Sequence, residues 1–194
     1  MTNYHVVYDA QRGVSQDIDV YLYGSETADG AISAKYVGGA LSYDIAVIRI
    51  VANPKLMESI AVEATLADSD EVQVLDSVIA IGNALGKGIS ATVGSINVTS
   101  EYLTMMGADE KTEVTFRVMR TDAAVNSGNS GGGLFNSKGE LVGINFDRTW
   151  RSTMSDIEFD PAICRNISVD IRYVLFVIDR VGGASYLFEE MNLK

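Results

Sequence analysis

Residues 126–135 read NSGNSGGGLF, four glycines among small polar residues in front of an apolar pair. Glycine loses more conformational freedom on folding than any other residue. Such a cluster therefore marks backbone that bends sharply or approaches something closely. One reading is a tight surface turn, since Gly, Asn and Ser are common turn formers. The other is a nucleophile loop, in which the N–H groups of Gly128 and Ser130 turn toward one point and stabilise an oxyanion. The choice between them depends on what the rest of the chain supplies.

Outward from that loop, the apolar pattern has period two. In residues 17–25 (DIDVYLYGS), Ile18, Val20 and Leu22 stand against Asp19, Tyr21 and Tyr23. In residues 112–119 (TEVTFRVM), Val114, Phe116 and Val118 stand against Glu113, Thr115 and Arg117. Residues 31–39, 44–51, 76–83, 89–98 and 139–147 read as further strands. Short strands separated by glycine-rich or polar turns predict an antiparallel barrel or sandwich. The acidic segment 62–73 lacks periodicity and reads as a boundary, and residues 105–113 read as a hairpin tip. Near the end the period changes: Ile171, Val174, Leu175 and Ile178 share a helical face, with Ser168 as N-cap and Gly182 as stop. A second short helix is expected around residues 184–191. The predicted organisation is mostly β, with a front lobe over 1–70, a second lobe over 71–165 and C-terminal helices over 166–194.

Composition narrows the chemistry. A formal charge of −11 argues against nucleic acid or an anionic membrane surface as partner, because both need basic patches. No apolar run reaches the length of about 18 residues that a membrane span requires. The single cysteine, Cys164, makes no internal disulfide, and a single histidine argues against a zinc site. No metal or other cofactor is expected.

A serine hydroxyl is a poor nucleophile at neutral pH and needs a base within hydrogen-bond reach, itself held by a partner. The one candidate base is His5. Asp44 opens an apolar strand, where its carboxylate can face inward, and Ser130 lies in the glycine-rich stretch. Each alone has a plain structural reading, as a structural histidine, a turn aspartate and a turn serine. Together they stand in the order His, Asp, Ser of the chymotrypsin-type triad. Cys164 would compete for the same histidine and reads as a small buried hydrophobe. Residues 82–88 (GNALGKG) lack the spacing of a phosphate loop and read as a β-turn.

The motifs carrying these residues resemble those of HtrA-type, trypsin-like peptidases: TNYHVV for the histidine, YDIAVIRI for the aspartate, VIAIGNALG for the first strand of the second barrel, and TDAAVNSGNSGG for the serine. The resemblance covers residues 2–146 and implies an all-β, chymotrypsin-like double β-barrel with the active site between the barrels. It makes Ser130 the nucleophile, His5 the general base and Asp44 the orienting carboxylate. The amides of Gly128, Asn129 and Ser130 would form the oxyanion hole.

The last quarter resembles a different relative. GINFDRTW and SDIEFDPAICRNISVDIRYVLFVIDR are similar to the C-terminal segment of the bacterial dipeptidyl-peptidase family that shares this fold. In its Asp/Glu-specific members an arginine at the position of Arg148 lines the primary specificity pocket. That position is 18 residues after the nucleophile (148 − 130). A guanidinium there can grip a carboxylate through two parallel hydrogen bonds. Asp147 matches the residue that binds the substrate's free amino group, and Asn145 is assigned to the same substrate-binding stretch. The Asn-Trp pair that would precede Asp44 is absent, replaced by GGALSY, and no large helical insert separates the histidine and serine motifs. An open cleft is therefore expected, favouring endopeptidase action.

Gly133 stands where proline commonly follows GNSGG, which would loosen the loop. Relatives also carry barrel strands before the histidine motif, so the front barrel is expected to be incomplete and a second chain is a candidate to complete it. The expected activity is that of a serine endopeptidase acting on peptide or protein substrates, with Asp or Glu preferred before the scissile bond, outside the cytoplasm. The alternatives are a peptide-binding module with a disabled triad and a dipeptidyl exopeptidase.

Overall fold

The alternation read from residues 112–119 is realised in a strand whose inward side chains bind the two halves of the molecule together. The computed structural model describes residues 1–24, 30–51, 54, 61–146 and 166–170, the last five as backbone. Among these residues the strands are β1 (Thr2–Asn3), β2 (Tyr8–Asp9), β3 (Gly13–Val14), β4 (Ile18–Tyr21), β5 (Ala31–Ala40) and β6 (Ile45–Ile50) in the front half. The second half carries β7 (Ser77–Gly82), β8 (Ser90–Met106), β9 (Glu113–Thr121), β10 (Gly133–Asn136), β11 (Leu141–Phe146) and β12 (Asn166–Asp170).

The front half is an open antiparallel sheet in the order β1-β6-β5-β4, with β2 and β3 forming a separate two-stranded ribbon. The second half is a closed barrel, β10-β11-β12-β9-β8-β7. Closure leaves that barrel without edges, whereas the front sheet keeps two among the described residues. In β9, Val114, Phe116 and Val118 face inward as predicted and meet Ile45 and Val47 of β6 and Leu141, Ile144 and Phe146 of β11 in one buried cluster. This cluster is the seam between sheet and barrel. A second cluster fills the barrel itself, with Val78, Ala80, Ile96, Met119, Leu134 and Val142.

The expected boundary at 62–73 is tied to the barrel. Leu141 N–H donates to Thr65 O at 2.8 Å, Ala67 N–H donates to Leu141 O at 3.0 Å, and Arg117 pairs with Asp70 at 3.7 Å.

Three local expectations change. Ser168, read as a helix N-cap, lies inside β12, where it pairs with Met119 of β9 and Asn145 of β11. Residues 166–170 (NISVD) alternate polar and apolar, and two neighbouring strands satisfy their backbone, which outweighs the helical period that begins at Ile171. The rest of the expected helices, 171–194, lies outside the described residues. The 82–88 segment forms a 3-10 turn over Ala84–Gly86. Gly133 is no loose loop residue, since it opens β10 in register with Ile144.

The expected hairpin tip connects β8 to β9. Asp109 closes it by accepting hydrogen bonds from Thr112 Oγ1 at 2.6 Å, Thr112 N at 2.9 Å and Lys111 N at 3.1 Å. The Thr112 hydroxyl first, then the two amides, hold the Asp109 carboxyl down to about 2 from its ordinary 3.8. A depressed carboxyl pKa stabilises the folded tip fully above the unfolded value and loses that contribution as pH falls through the folded one. In an NMR acid titration, the Lys111 and Thr112 amides should therefore report a midpoint near 2, and Asp109→Asn should abolish the transition.

Candidate active site

The histidine is positioned from its own neighbours. β1 pairs with β6, Asn3 opposite Ile45, and the chain then turns into a single helical turn, α1 (Tyr4–Val7). His5 is thus on a helical turn. The turn is seated by Val7, which is buried, and by Tyr4, whose ring stacks at 5.2 Å on Tyr8 and at 6.4 Å edge-on to Tyr36. Room for Tyr4 comes from Gly39, where a Cβ would lie 2.9 Å from the Tyr4 ring. Burial, with Tyr4 beside it, pushes the Tyr36 phenol up to about 12, so this packing stays neutral.

Asp44 follows a 3-10 turn (Leu41–Tyr43) and takes the left-handed conformation, φ 52°. That conformation is uncommon for a residue with a Cβ. Here four hydrogen bonds to its acceptor groups over-determine it. Its Oδ1 accepts from His5 N–H at 2.9 Å and its Oδ2 lies 2.6 Å from His5 Nδ1. Its carbonyl oxygen accepts from Tyr4 N–H at 2.9 Å and from Asn3 Nδ2 at 3.0 Å. The Asp44 side chain is 7% exposed and that of His5 19%. The His5 ring also stands edge-on to Phe146 at 5.6 Å, which places it over the end of β11.

The 126–133 loop is built by its glycines against two strands. Gly128 and Gly131 have φ +94° and +84°, and a Cβ on either would collide, with Asn83 O and with Thr2 Oγ1 respectively. Turns inside the loop run from Asn129 N–H to Asn126 O at 2.9 Å and from Gly132 N–H to Asn129 O at 3.0 Å. Leu85 N–H donates to Ser127 O, docking the loop on the 3-10 turn after β7. Ser130 is half-buried, between Asn129 and Gly131, whose backbone N–H groups are both hydrogen-bonded. The Asn129 side chain is buried against Gly82, and its Oδ1 has no hydrogen-bond partner among the described residues.

Of the residues singled out from sequence, His5 and Asp44 are brought into direct contact. Gly131, next to Ser130, is joined to Asn3, two residues before His5, by a hydrogen bond of 2.7 Å to Asn3 Oδ1. Asn145 is fully buried, and its amide donates inward to Ile81 O at 3.1 Å and Gly133 O at 3.0 Å. It therefore braces the barrel beneath the loop, where the sequence placed it with the substrate-binding residues. Asp147, Arg148 and Cys164 lie outside the described residues. Asn3 was not singled out at all, and a one-dimensional pattern holds no signal for it. Between sheet and barrel a cavity of about 740 Å³ has Tyr21 and Tyr23 on one side and Asn83 and Lys87 on the other, and none of His5, Asp44 and Ser130 lines it.

An open sheet joined to a closed barrel, with a histidine–aspartate pair at the seam and a glycine-rich serine loop beside it, is the arrangement of trypsin-like serine peptidases. The solved structure of the HtrA-type protease AlgW with decapeptide superposes on 93% of this chain and 47% of its own, with a TM-score of 0.62 and 28% identity. The Peptidase S46 family model matches residues 88–193, and the chain belongs to that family. The Asp/Glu-specific dipeptidyl-peptidase of Capnocytophaga gingivalis is 61% identical over 66 residues, 34% of this chain and 9% of that protein. The serine protease Do-like HtrB of Bacillus subtilis is 35% identical over 164 residues, 82% of this chain and 32% of that protein. The chain thus spans a small part of the dipeptidyl-peptidase and about a third of the HtrB protein that it matches. The double-lobed, chymotrypsin-like fold expected from the motifs is the one observed.

Gly131→Ala tests how tightly the loop is built. Forcing a Cβ residue into the left-handed region costs about 1–2 kcal/mol before the Thr2 overlap is counted. The expected outcome is a lower denaturant midpoint at unchanged m-value.

Proposed function

We propose that this chain is a serine endopeptidase domain that hydrolyses peptide bonds through an acyl-enzyme. The observation that carries this reading is the 2.6 Å contact between His5 Nδ1 and Asp44 Oδ2. A carboxylate on Nδ1 fixes the tautomer that leaves Nε2 as the acceptor of a proton. In the proposed reaction Ser130 Oγ attacks the scissile carbonyl and passes its proton to His5 Nε2. Asp44 stays ionised and stabilises the imidazolium. The Gly128 and Ser130 amides receive the oxyanion, and the turn closed by the Asn129 N–H holds them in place. His5 then protonates the leaving amine, and water repeats the sequence to free the acyl group and restore Ser130.

Substrate preference follows from Arg148 and from a relative whose name is Asp/Glu-specific dipeptidyl-peptidase. The guanidinium stays charged at working pH and would pair with an acidic side chain before the scissile bond, with Asp147 beside it. Endopeptidase action is favoured by the short connection between the histidine and serine motifs, which leaves the cleft uncapped. A location outside the cytoplasm goes with this reading, as does completion of the open front sheet by a second chain.

Intact mass after incubation with a fluorophosphonate tests the nucleophile. One adduct is expected, and Ser130→Ala should remove it; a cooperatively folded chain that takes no adduct would leave a peptide-binding module as the better account. Specificity is tested separately. Arg148→Ala should lower turnover of acidic relative to neutral peptides by about tenfold or more, the loss expected when a charge-assisted pair worth about 1.5–3 kcal/mol is removed. An unchanged ratio would sink the Arg148 assignment.

A further inference from the structure

We infer that Asn3 is a positioning residue that sets the distance between the His5–Asp44 pair and the Ser130 loop. The inference rests on the serine-peptidase reading above and adds how the two halves of its site are kept in register. Asn3 has no exposed surface, and its carboxamide is used at both ends. Nδ2 donates to Asp44 O at 3.0 Å, and Oδ1 accepts from Gly131 N–H at 2.7 Å. The partners lie 41 and 128 residues away in sequence, one beside the orienting carboxylate and the other beside the nucleophile. Asn3 itself stands two residues before the base. One rigid, planar group therefore touches all three segments of the site.

The chemistry selects this side chain. A carboxamide offers donor and acceptor on one plane; aspartate keeps only acceptors when ionised, leucine has neither, and glutamine is one methylene longer. Neither partner depends on Asn3 for its satisfaction. Gly131 N–H is shared with Asn145 O at 3.0 Å, and Asp44 O also accepts from Tyr4 N–H at 2.9 Å. Removing Asn3 therefore leaves no orphaned backbone group at either partner, and the fold can survive. What changes is position. Gly131 would keep only its bond toward β11, drawing the loop away from His5. Displacement of a reacting group by about 1 Å costs roughly a hundredfold in rate.

The test uses the full chain with Asn3→Leu, which keeps the branched shape, somewhat enlarged, without hydrogen bonding, and Asn3→Ala, which removes the carboxamide without adding bulk, with Ser130→Ala as control. Fluorophosphonate titration counts reactive sites, and acylation and peptide hydrolysis are then expressed per titrated site. Both variants are expected to react about 100-fold more slowly per site than the unaltered chain, with kcat lowered and KM unchanged. A purely structural role would lower the number of titratable sites and leave the rate of each intact. That result, or a per-site rate equal to that of the unaltered chain, overturns the inference.

NMR supplies a readout that does not depend on activity. The chain has a single histidine, so its ring Nδ1–H resonance belongs to His5. Asn3→Leu should shift both this resonance and the Gly131 amide. If the unaltered chain takes no adduct, the peptidase reading fails, and these two resonances still decide the link. Shifts in both support it, and two unmoved resonances dispose of it.

Discussion

Asp44 is a buried carboxylate, and a buried charge is tolerable only when paired and hydrogen-bonded. Its requirements organise everything around it. The carboxylate is met twice by His5, and the carbonyl is met by Tyr4 and Asn3, so the segment from Asn3 to His5 is fastened to the start of β6. The left-handed backbone at Asp44 aims the side chain into that segment while β6 continues into the sheet. A residue in the ordinary β conformation at that position would send its carboxylate elsewhere, and His5 would have no fixed tautomer. Strain is thus placed where the surrounding contacts over-determine it.

The second constraint is the seam. Ile45 and Val47, immediately after Asp44, are packed against β9 and β11, so the strand that carries the aspartate is locked to the barrel that carries the serine loop. Phe146 belongs to the same cluster and also touches the His5 ring. The loop, for its part, is closed by backbone turns and lies against Asn83, Thr2 and Asn145, with glycines where no Cβ fits. The apolar seam sets the lobes' mutual orientation, and the polar contacts through Asn3 and Asp44 set the finer register within it. Nondirectional burial and directional hydrogen bonds divide the task in the way their physics allows.

The family match and the structural likeness differ in extent. The Peptidase S46 model begins at residue 88, in the barrel, whereas the HtrA-type likeness spans both lobes. A fold shared by endo- and exopeptidases leaves their difference to what surrounds the cleft.

Much of the architecture was legible in one dimension. The strand pattern located β5, β6, β7, β9 and β11; it alternates where a strand is half-buried, as at the start of β9, whereas β11 is buried along its whole length. It also marked β4 and the first part of β8. The chain order His5, Asp44, Ser130 and the glycines at 128 and 131 were equally plain, since a loop with left-handed turns requires them. Other features were decided by tertiary contacts. The α1 turn is too short to show a helical period, β12 was masked by the helical pattern beginning at Ile171, and β8 runs on to Met106 past two bulges. Asn145 and Asn3 show the difference best. An asparagine's amide serves wherever a donor or acceptor is missing, and that depends on backbone groups tens of residues away. The sequence by itself determined which strands form and which residues could do chemistry. Only the folded chain decided which of them meet, because hydrogen-bond partners are chosen by distance in space.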